Sequence, residues 1–123
     1  MKLRFRKNTL RLRLNRSEVD ALAVGVAIEE RVMFPGEAEL SYILEPAARI
    51  EPEASFRDGV VRVAAPPAEL KSWAASEAIG LYFDLPAKGG HLKIAIEKDL
   101  ECVDSSPEDR DPDAFPRSPG KNC

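Results

Sequence analysis

The sequence predicts an α+β domain of two pseudo-symmetric ββαββ repeats, with about eight strands and two short helices forming an antiparallel sheet or half-barrel. Three observations carry this expectation: short runs in which apolar and polar residues alternate strictly, a helical stripe midway along each half, and recurrence of the whole pattern about fifty positions later.

The recurrence frames everything else. A shift of 51 lays Phe5 on Phe56, Arg11 on Arg62, Glu18 on Glu69, Ala23 on Ala74, Ile28 on Ile79 and Pro35 on Pro86. One further residue, a shift of 52, lays Leu40 on Leu92, Leu44 on Ile96 and Glu45 on Glu97. Internal duplication is the expectation; the alternative is two ββαββ segments alike in pattern only.

Each repeat opens with a hairpin. Leu3 and Phe5 alternate with Lys2, Arg4 and Arg6, which sets them on the inward face of a half-buried strand. Lys7-Asn8 turns the chain into Leu10, Leu12 and Leu14, and Asp58-Gly59 plays the same part between Phe56 and Val61, because Asp-Gly readily adopts the positive φ angles of a two-residue turn. A helix follows. Asn15 and Glu18 form a capping box ahead of Val19, Leu22 and Ala23, and Gly25 stops the turn; in the second repeat Pro67 suits a first helical position ahead of Leu70, Trp73 and Ala74. Both helices are too short to persist without packing on a sheet.

A second hairpin closes each repeat. Val26, Ile28, Val32 and Phe34 lead through Pro35-Gly36 to Leu40, Tyr42 and Leu44, with Glu30 interrupting the inward set and suggesting a bulge or an exposed strand end. Its counterpart runs from Ile79, Leu81, Phe83 and Leu85 to Leu92, Ile94 and Ile96. The repeats occupy about 1–48 and 49–99 within a single body of 1–103, and 104–123 reads as an acidic, proline-rich tail in which Phe115 is the one large apolar residue able to dock.

Composition narrows the setting. A chain of 123 residues can bury one core without disulfides. Cys102 and Cys123, the only cysteines, fall outside every periodic stretch, which suits a reducing compartment. No continuous apolar run resembles a signal peptide or a membrane span, so a soluble, cytoplasmic protein is expected. Charge is polarised: residues 1–16 hold seven bases and no acid, whereas residues 99–123 hold seven acids against three bases.

Chemistry is sparse in this string. Arg4, Arg6, Arg11 and Arg13 project from one face of the first hairpin, with Arg62 at the position equivalent to Arg11, and together they form a candidate anion or partner face. Against that stands self-pairing, since Glu29, Glu39 and Glu45 share the outward register of later strands. No outward aromatic interleaves with the arginines and net charge is −3, so nucleic acid is disfavoured. His91 is the sole histidine and lies in a turn; Glu51 and Glu53 are the nearest thing to a carboxylate ligand pair; Ser17, Ser72 and Ser76 lack a nucleophile context, and Gly89-Gly90 joins strands instead of opening a helix. No metal, cofactor or catalytic residue is expected.

A duplicated antiparallel body resembles the tunnel-shaped triphosphatases at the level of fold. Their first strand carries alternating glutamates, however, where this chain has Lys2-Leu3-Arg4-Phe5-Arg6. A closer resemblance lies in the opening stretch from Lys2 to Leu14 with Ser17-Glu18-Val19, in Leu40-Ser41-Tyr42-Ile43-Leu44-Glu45, and in Glu97-Lys98-Asp99-Leu100-Glu101-Cys102 with its acidic tail and Phe115-Pro116. These segments resemble a family of short bacterial proteins known only as a domain of unknown function. The resemblance implies no site residues, but it implies that the tail belongs to the family pattern.

Two function classes follow. One is a non-enzymatic binding or interaction module, meeting a protein partner or small anionic ligand through the charged face or a cleft between the repeats. The other is a small anion-binding or phosphate-ester hydrolysing enzyme, with its site between the repeats and Arg4, Arg6, Arg11, Arg13 and Arg62 turned toward the substrate.

Overall fold

The computed structural model describes residues 1–47, 51–100, 113 and 115. Both cysteines and most of the stretch from 104 onward lie outside these. In chain order the elements are β1 (Lys2–Arg6), β2 (Thr9–Leu14), α1 (Arg16–Ala23), β3 (Ile28–Met33), β4 (Glu39–Pro46), β5 (Glu53–Arg57), β6 (Val60–Ala65), α2 (Pro67–Ala75), β7 (Gly80–Ala87) and β8 (Gly90–Lys98). No helix among the described residues is long and apolar enough to cross a membrane.

The eight strands divide into two four-stranded sheets, ordered β1-β2-β8-β7 and β3-β4-β6-β5, in place of a single sheet or half-barrel. Every hairpin is antiparallel, but the central pairs, β2 with β8 and β4 with β6, are parallel. Each unit therefore gives its first hairpin to one sheet and its second hairpin to the other. The reason lies in the helices: α1 carries the chain from β2 in one sheet to β3 in the other, α2 carries it from β6 back to β7, and the two helices pack on each other. The helices thus connect strands of different sheets, and the parallel neighbours β4 and β6 are joined through β5, which pairs with β6 on its other side.

The local signals behave as their chemistry requires. Asn15 Oδ1 accepts from the Glu18 N–H at 2.9 Å and Glu18 Oε1 accepts from the Asn15 N–H at 3.0 Å, so the capping box is closed in both directions. Pro67 sits at the first position of α2. Asp58 and Gly59 adopt φ values of 50° and 75°, and Lys7 adopts 51°. At Gly59 a side chain would also run into the Glu39 carbonyl oxygen, so the turn is tied to the strand beside it.

Pairing registers match between the units. Leu10 faces Ile94 and Leu12 faces Ile96, while Val61 faces Tyr42 and Val63 faces Leu44, reproducing the offsets of 51 and 52. The third strand departs from this. Ile28 faces Leu44, and its structural counterpart facing Ile96 is Leu81, not Ile79, so the offset there is 53 and Pro35 does not correspond to Pro86.

One core results, in which Leu12, Leu14, Leu22, Leu44, Leu70, Ile94 and Ile96 are almost wholly enclosed and Val19, Val63 and Trp73 join them from both sheets and both helices. Leu22 and Trp73 hold equivalent buried positions on the two helices. Phe5 and Phe56 are equivalent as well, but both are exposed, at 58% and 69%. Each lies opposite a core residue, Leu10 or Val61, yet on an edge strand that overhangs the packed interior, so alternation alone overstated their burial.

Glu30 marks no bulge, for β3 pairs without a break from Ile28 to Met33, but the exposed strand end expected there is present, since Arg31, Val32 and Met33 are all exposed. Glu30 points inward because it has a partner. The Met1 ammonium donates to Glu30 Oε1 at 2.9 Å and to Glu18 Oε2 at 2.5 Å, and the Tyr42 hydroxyl donates to the Met1 carbonyl at 3.0 Å, fastening β1 to α1, β3 and β4.

Two tests follow. Trp73→Ala and Leu22→Ala should each cost about 2–5 kcal/mol in urea unfolding, while Phe5→Ser and Phe56→Ser should stay within about 0.5 kcal/mol; large losses at the phenylalanines would place them in the core. Burial lowers the Met1 amine pKa, but the hydrogen bonds and charges of Glu18 and Glu30 outweigh it, leaving the value above 8.0. A raised folded pKa stabilises fully below 8.0 and loses its contribution as pH climbs through the folded value. Urea midpoints of the chain beginning at Met1 should therefore fall with alkaline pH, and the Nα-acetylated chain should lack this decline.

Candidate anion-binding face

On the outer face of the sheet β1-β2-β8-β7, residues directly opposite one another form three rows. Lys2, Arg13, Glu97 and Gly80 make the first, Arg4, Arg11, Ala95 and Tyr82 the second, and Arg6, Thr9, Lys93 and Asp84 the third. Arg4 thus faces Arg11 and Lys2 faces Arg13, an arrangement in which like charges repel across the strands.

Compensation is partial. Glu97 Oε1 lies 3.1 Å from Arg11 Nε and 3.6 Å from Arg13 Nε, its Oε2 accepts from the Tyr82 hydroxyl at 2.8 Å, and Lys2 Nζ lies 2.8 Å from Asp99 Oδ2. The Arg11 contact is one of charge only, since its buried Nε–H is not aimed at the carboxylate and makes no hydrogen bond. Arg4, Arg6 and Lys7 have no carboxylate within ion-pairing distance among the described residues. With Thr9 and Arg11 they line a pocket of about 270 Å³.

The second sheet supplies an internal control. Arg62 Nη1 and Glu45 Oε2 meet at 2.9 Å, and these residues are the structural counterparts of Arg11 and Glu97. An arginine–glutamate pair across the parallel strands is therefore part of the scaffold. Where the first sheet has Lys2, Arg4 and Lys7, the second has Glu53, Ser55 and Asp58; only Arg6 keeps a basic counterpart, Arg57, so the larger share of cations belongs to the first face.

Three expectations are corrected by this topology. Arg62 does not join Arg4, Arg6, Arg11 and Arg13, because β6 lies in the other sheet. Glu29, Glu39 and Glu45 do not neutralise the basic hairpin; Glu29 and Glu39 pair with Arg31 and Glu45 pairs with Arg62, all in the second sheet. An outward aromatic does stand beside the arginines, for Tyr82 occupies the row of Arg4 and Arg11 and is 62% exposed. Its outward phase is readable from its place between Leu81 and Phe83, but its neighbourhood depends on strand order. Among the described residues both units contribute side chains to one shared core.

Tyr82 is held in place by its surroundings. Its ring lies across Gly80, where a Cβ would collide with it, and so reaches Glu97. Burial, then the hydrogen bond and charge of Glu97, raise its pKa against the opposing pull of Arg11 and Arg13.

Elsewhere the candidate residues are otherwise engaged. The His91 carbonyl accepts from Asn8 Nδ2 at 2.6 Å at an exposed strand start. Ser72 and Ser76 border a second, open pocket of about 380 Å³ beside α2, where the Ser76 hydroxyl donates to the Trp73 carbonyl at 2.9 Å. Among the described residues no group of three His, Cys, Asp or Glu side chains could hold a metal ion.

Replacing Glu97 with Gln should move the Tyr82 phenol down toward its ordinary value, because the pull of the arginines would then be opposed by burial alone. Ultraviolet titration in a Tyr42→Phe background reads this directly, and an unmoved curve would separate Tyr82 from Glu97.

Comparison with curated proteins and with solved structures returns no match. Residues 1–119 match the model of a family of unknown function, DUF7009, and on that near-complete coverage the chain belongs to this family.

Proposed function

We propose that the protein is a binding module that takes a small phosphate-bearing anion at the pocket of Arg4, Arg6, Lys7, Thr9 and Arg11. The observation that carries this reading is the unbalanced charge of that pocket: cations set directly opposite one another on paired strands, with no carboxylate between them and no equivalent surplus on the companion sheet. A dianion placed there would relieve repulsion that the fold leaves standing, and guanidinium groups suit its geometry.

Binding is favoured over catalysis by the state of the nearest carboxylate. Glu97 is already shared among Arg11, Arg13 and Tyr82, so it is poorly placed to take a proton from a substrate. Arg13 shapes the site through Glu97 and need not touch the ligand. A bacterial, cytoplasmic setting and an origin by duplication belong to the same reading; the shared registers of the two sheets support the latter.

Tyr82 favours a second reading, a nucleotide. Its strand lies two strand spacings from that of Arg11, about 10 Å between backbones, so a base stacked on the exposed ring could reach the pocket with its phosphate.

Titration calorimetry with inorganic pyrophosphate tests the proposal. Arg4→Ser and Arg6→Ser should each weaken binding by about tenfold, ~1.4 kcal/mol, with a strong dependence on salt, while Arg62→Ser should leave it unchanged. Glu97→Gln should tighten it. Absence of binding at low salt, or equal sensitivity to Arg62→Ser, would refute the site. Adenosine monophosphate bound more tightly than phosphate, with the gain lost in Tyr82→Ser, would select the nucleotide.

A further inference from the structure

Two residues near the end of the chain dock on the body through a set of contacts that together resemble peptide recognition. The Asp113 carbonyl accepts from the Arg16 N–H at 2.9 Å, and Asp113 Oδ2 accepts from the Ser17 N–H at 3.1 Å. Those are the first N–H groups of α1, which a helix cannot satisfy internally and which favour negative charge. Two positions later the Phe115 N–H donates to the Asp99 carbonyl at 2.7 Å, and Phe115 forms a parallel bridge with Leu100. Its ring packs on the core between two cations, with Arg16 Cζ at 5.3 Å and Lys98 Nζ at 5.5 Å from the centroid.

The receiving surface is built without the segment it receives. Lys98 is fixed by donating to the Ser76 carbonyl at 2.6 Å and by lying over Trp73, and the Asp99 N–H donates to the Leu14 carbonyl at 2.7 Å. The capping box holds the first turn of α1. Asp113 and Phe115 belong to the same chain as their seat, so a segment supplied in trans competes with an occupant whose binding is intramolecular.

We propose that the notch formed by the first turn of α1, Asp99 and the cations of Arg16 and Lys98 is a recognition site for a protein segment carrying aspartate two residues before phenylalanine, which Asp113 and Phe115 occupy in cis. Main-chain bonds supply affinity, the carboxylate fixes the register on the helix, and the ring between cations reads the aromatic. A segment of the same chemistry supplied in trans competes with the chain's own.

A full-length Asp113→Ala, Phe115→Ala double variant vacates the notch. A labelled peptide of residues 111–117 should bind it saturably in fluorescence anisotropy, should bind the unmodified protein at least about tenfold more weakly, and should lose binding when its own aspartate and phenylalanine become alanine. A folded double variant that ignores the peptide, or that binds both peptides alike, overturns the proposal. If the double variant does not fold, the otherwise unmodified chain cut at a protease site inserted between 104 and 110 decides. The released piece should stay bound and exchange with labelled peptide; a cut chain that does neither contradicts the proposal.

Discussion

The parallel pairing of β2 with β8, and of β4 with β6, is the constraint from which the rest follows. A single ββαββ unit has two hairpins, each greasy on one face, and a helix of eight or nine residues that cannot stand alone. By sending its hairpins into different sheets, each unit completes a sheet only with the other's strands. Leu10 and Leu12 of one unit then lie beside Ile94 and Ile96 of the other in one sheet, and Leu22 and Trp73 fill the remaining volume from the helices. Neither unit owns a core.

That constraint also makes the candidate site. The basic hairpin on its own would offer Arg4, Arg6, Arg11 and Arg13 and nothing to organise them. The neighbouring strand from the second unit brings Glu97, which draws Arg11 and Arg13 together, and the strand beyond it brings Tyr82. Pseudo-symmetry separates scaffold from function here, because Arg62 and Glu45 repeat the ion pair while Ser55 and Asp58 replace Arg4 and Lys7.

Much of the fold was legible because its signals are local. Alternation places Leu10, Leu12 and Leu14, the Asn15–Glu18 pair starts a helix, and Asp58-Gly59 turns a hairpin, each independent of distant residues. Strand order is not local. Nothing in the stretch around Arg11 says whether its neighbour will be β4 or β8, since both present a glutamate in the right phase, Glu45 or Glu97. With strand order open, Glu29, Glu39 and Glu45 stood as candidate partners for the arginines and Arg62 as a member of their face, whereas the fold places all four in the other sheet. Phe5 and the bulge at Glu30 failed for a related reason: an inward phase guarantees burial only where another layer stands opposite, and an inward acid needs no bulge when an ammonium group meets it. Phe115 was legible as the one large apolar residue of the tail and does dock, but Asp113 and the seat itself were not, because the seat combines a helix end with a strand end from opposite parts of the chain.

The docked segment shows the same economy of design. Leu14 and Asp99, at the ends of the parallel pair, provide the main-chain frame on which Phe115 is held, so the seat too exists only where the units interlock. Backbone nuclear Overhauser contacts in the isotope-labelled protein test that interlocking most directly. Leu10–Leu14 should show parallel cross-strand contacts to Ile94–Lys98. Contacts from Leu10–Leu14 to Glu39–Pro46 instead would mean that each unit closes on itself, and the shared core and the assembled basic face would fall with that result.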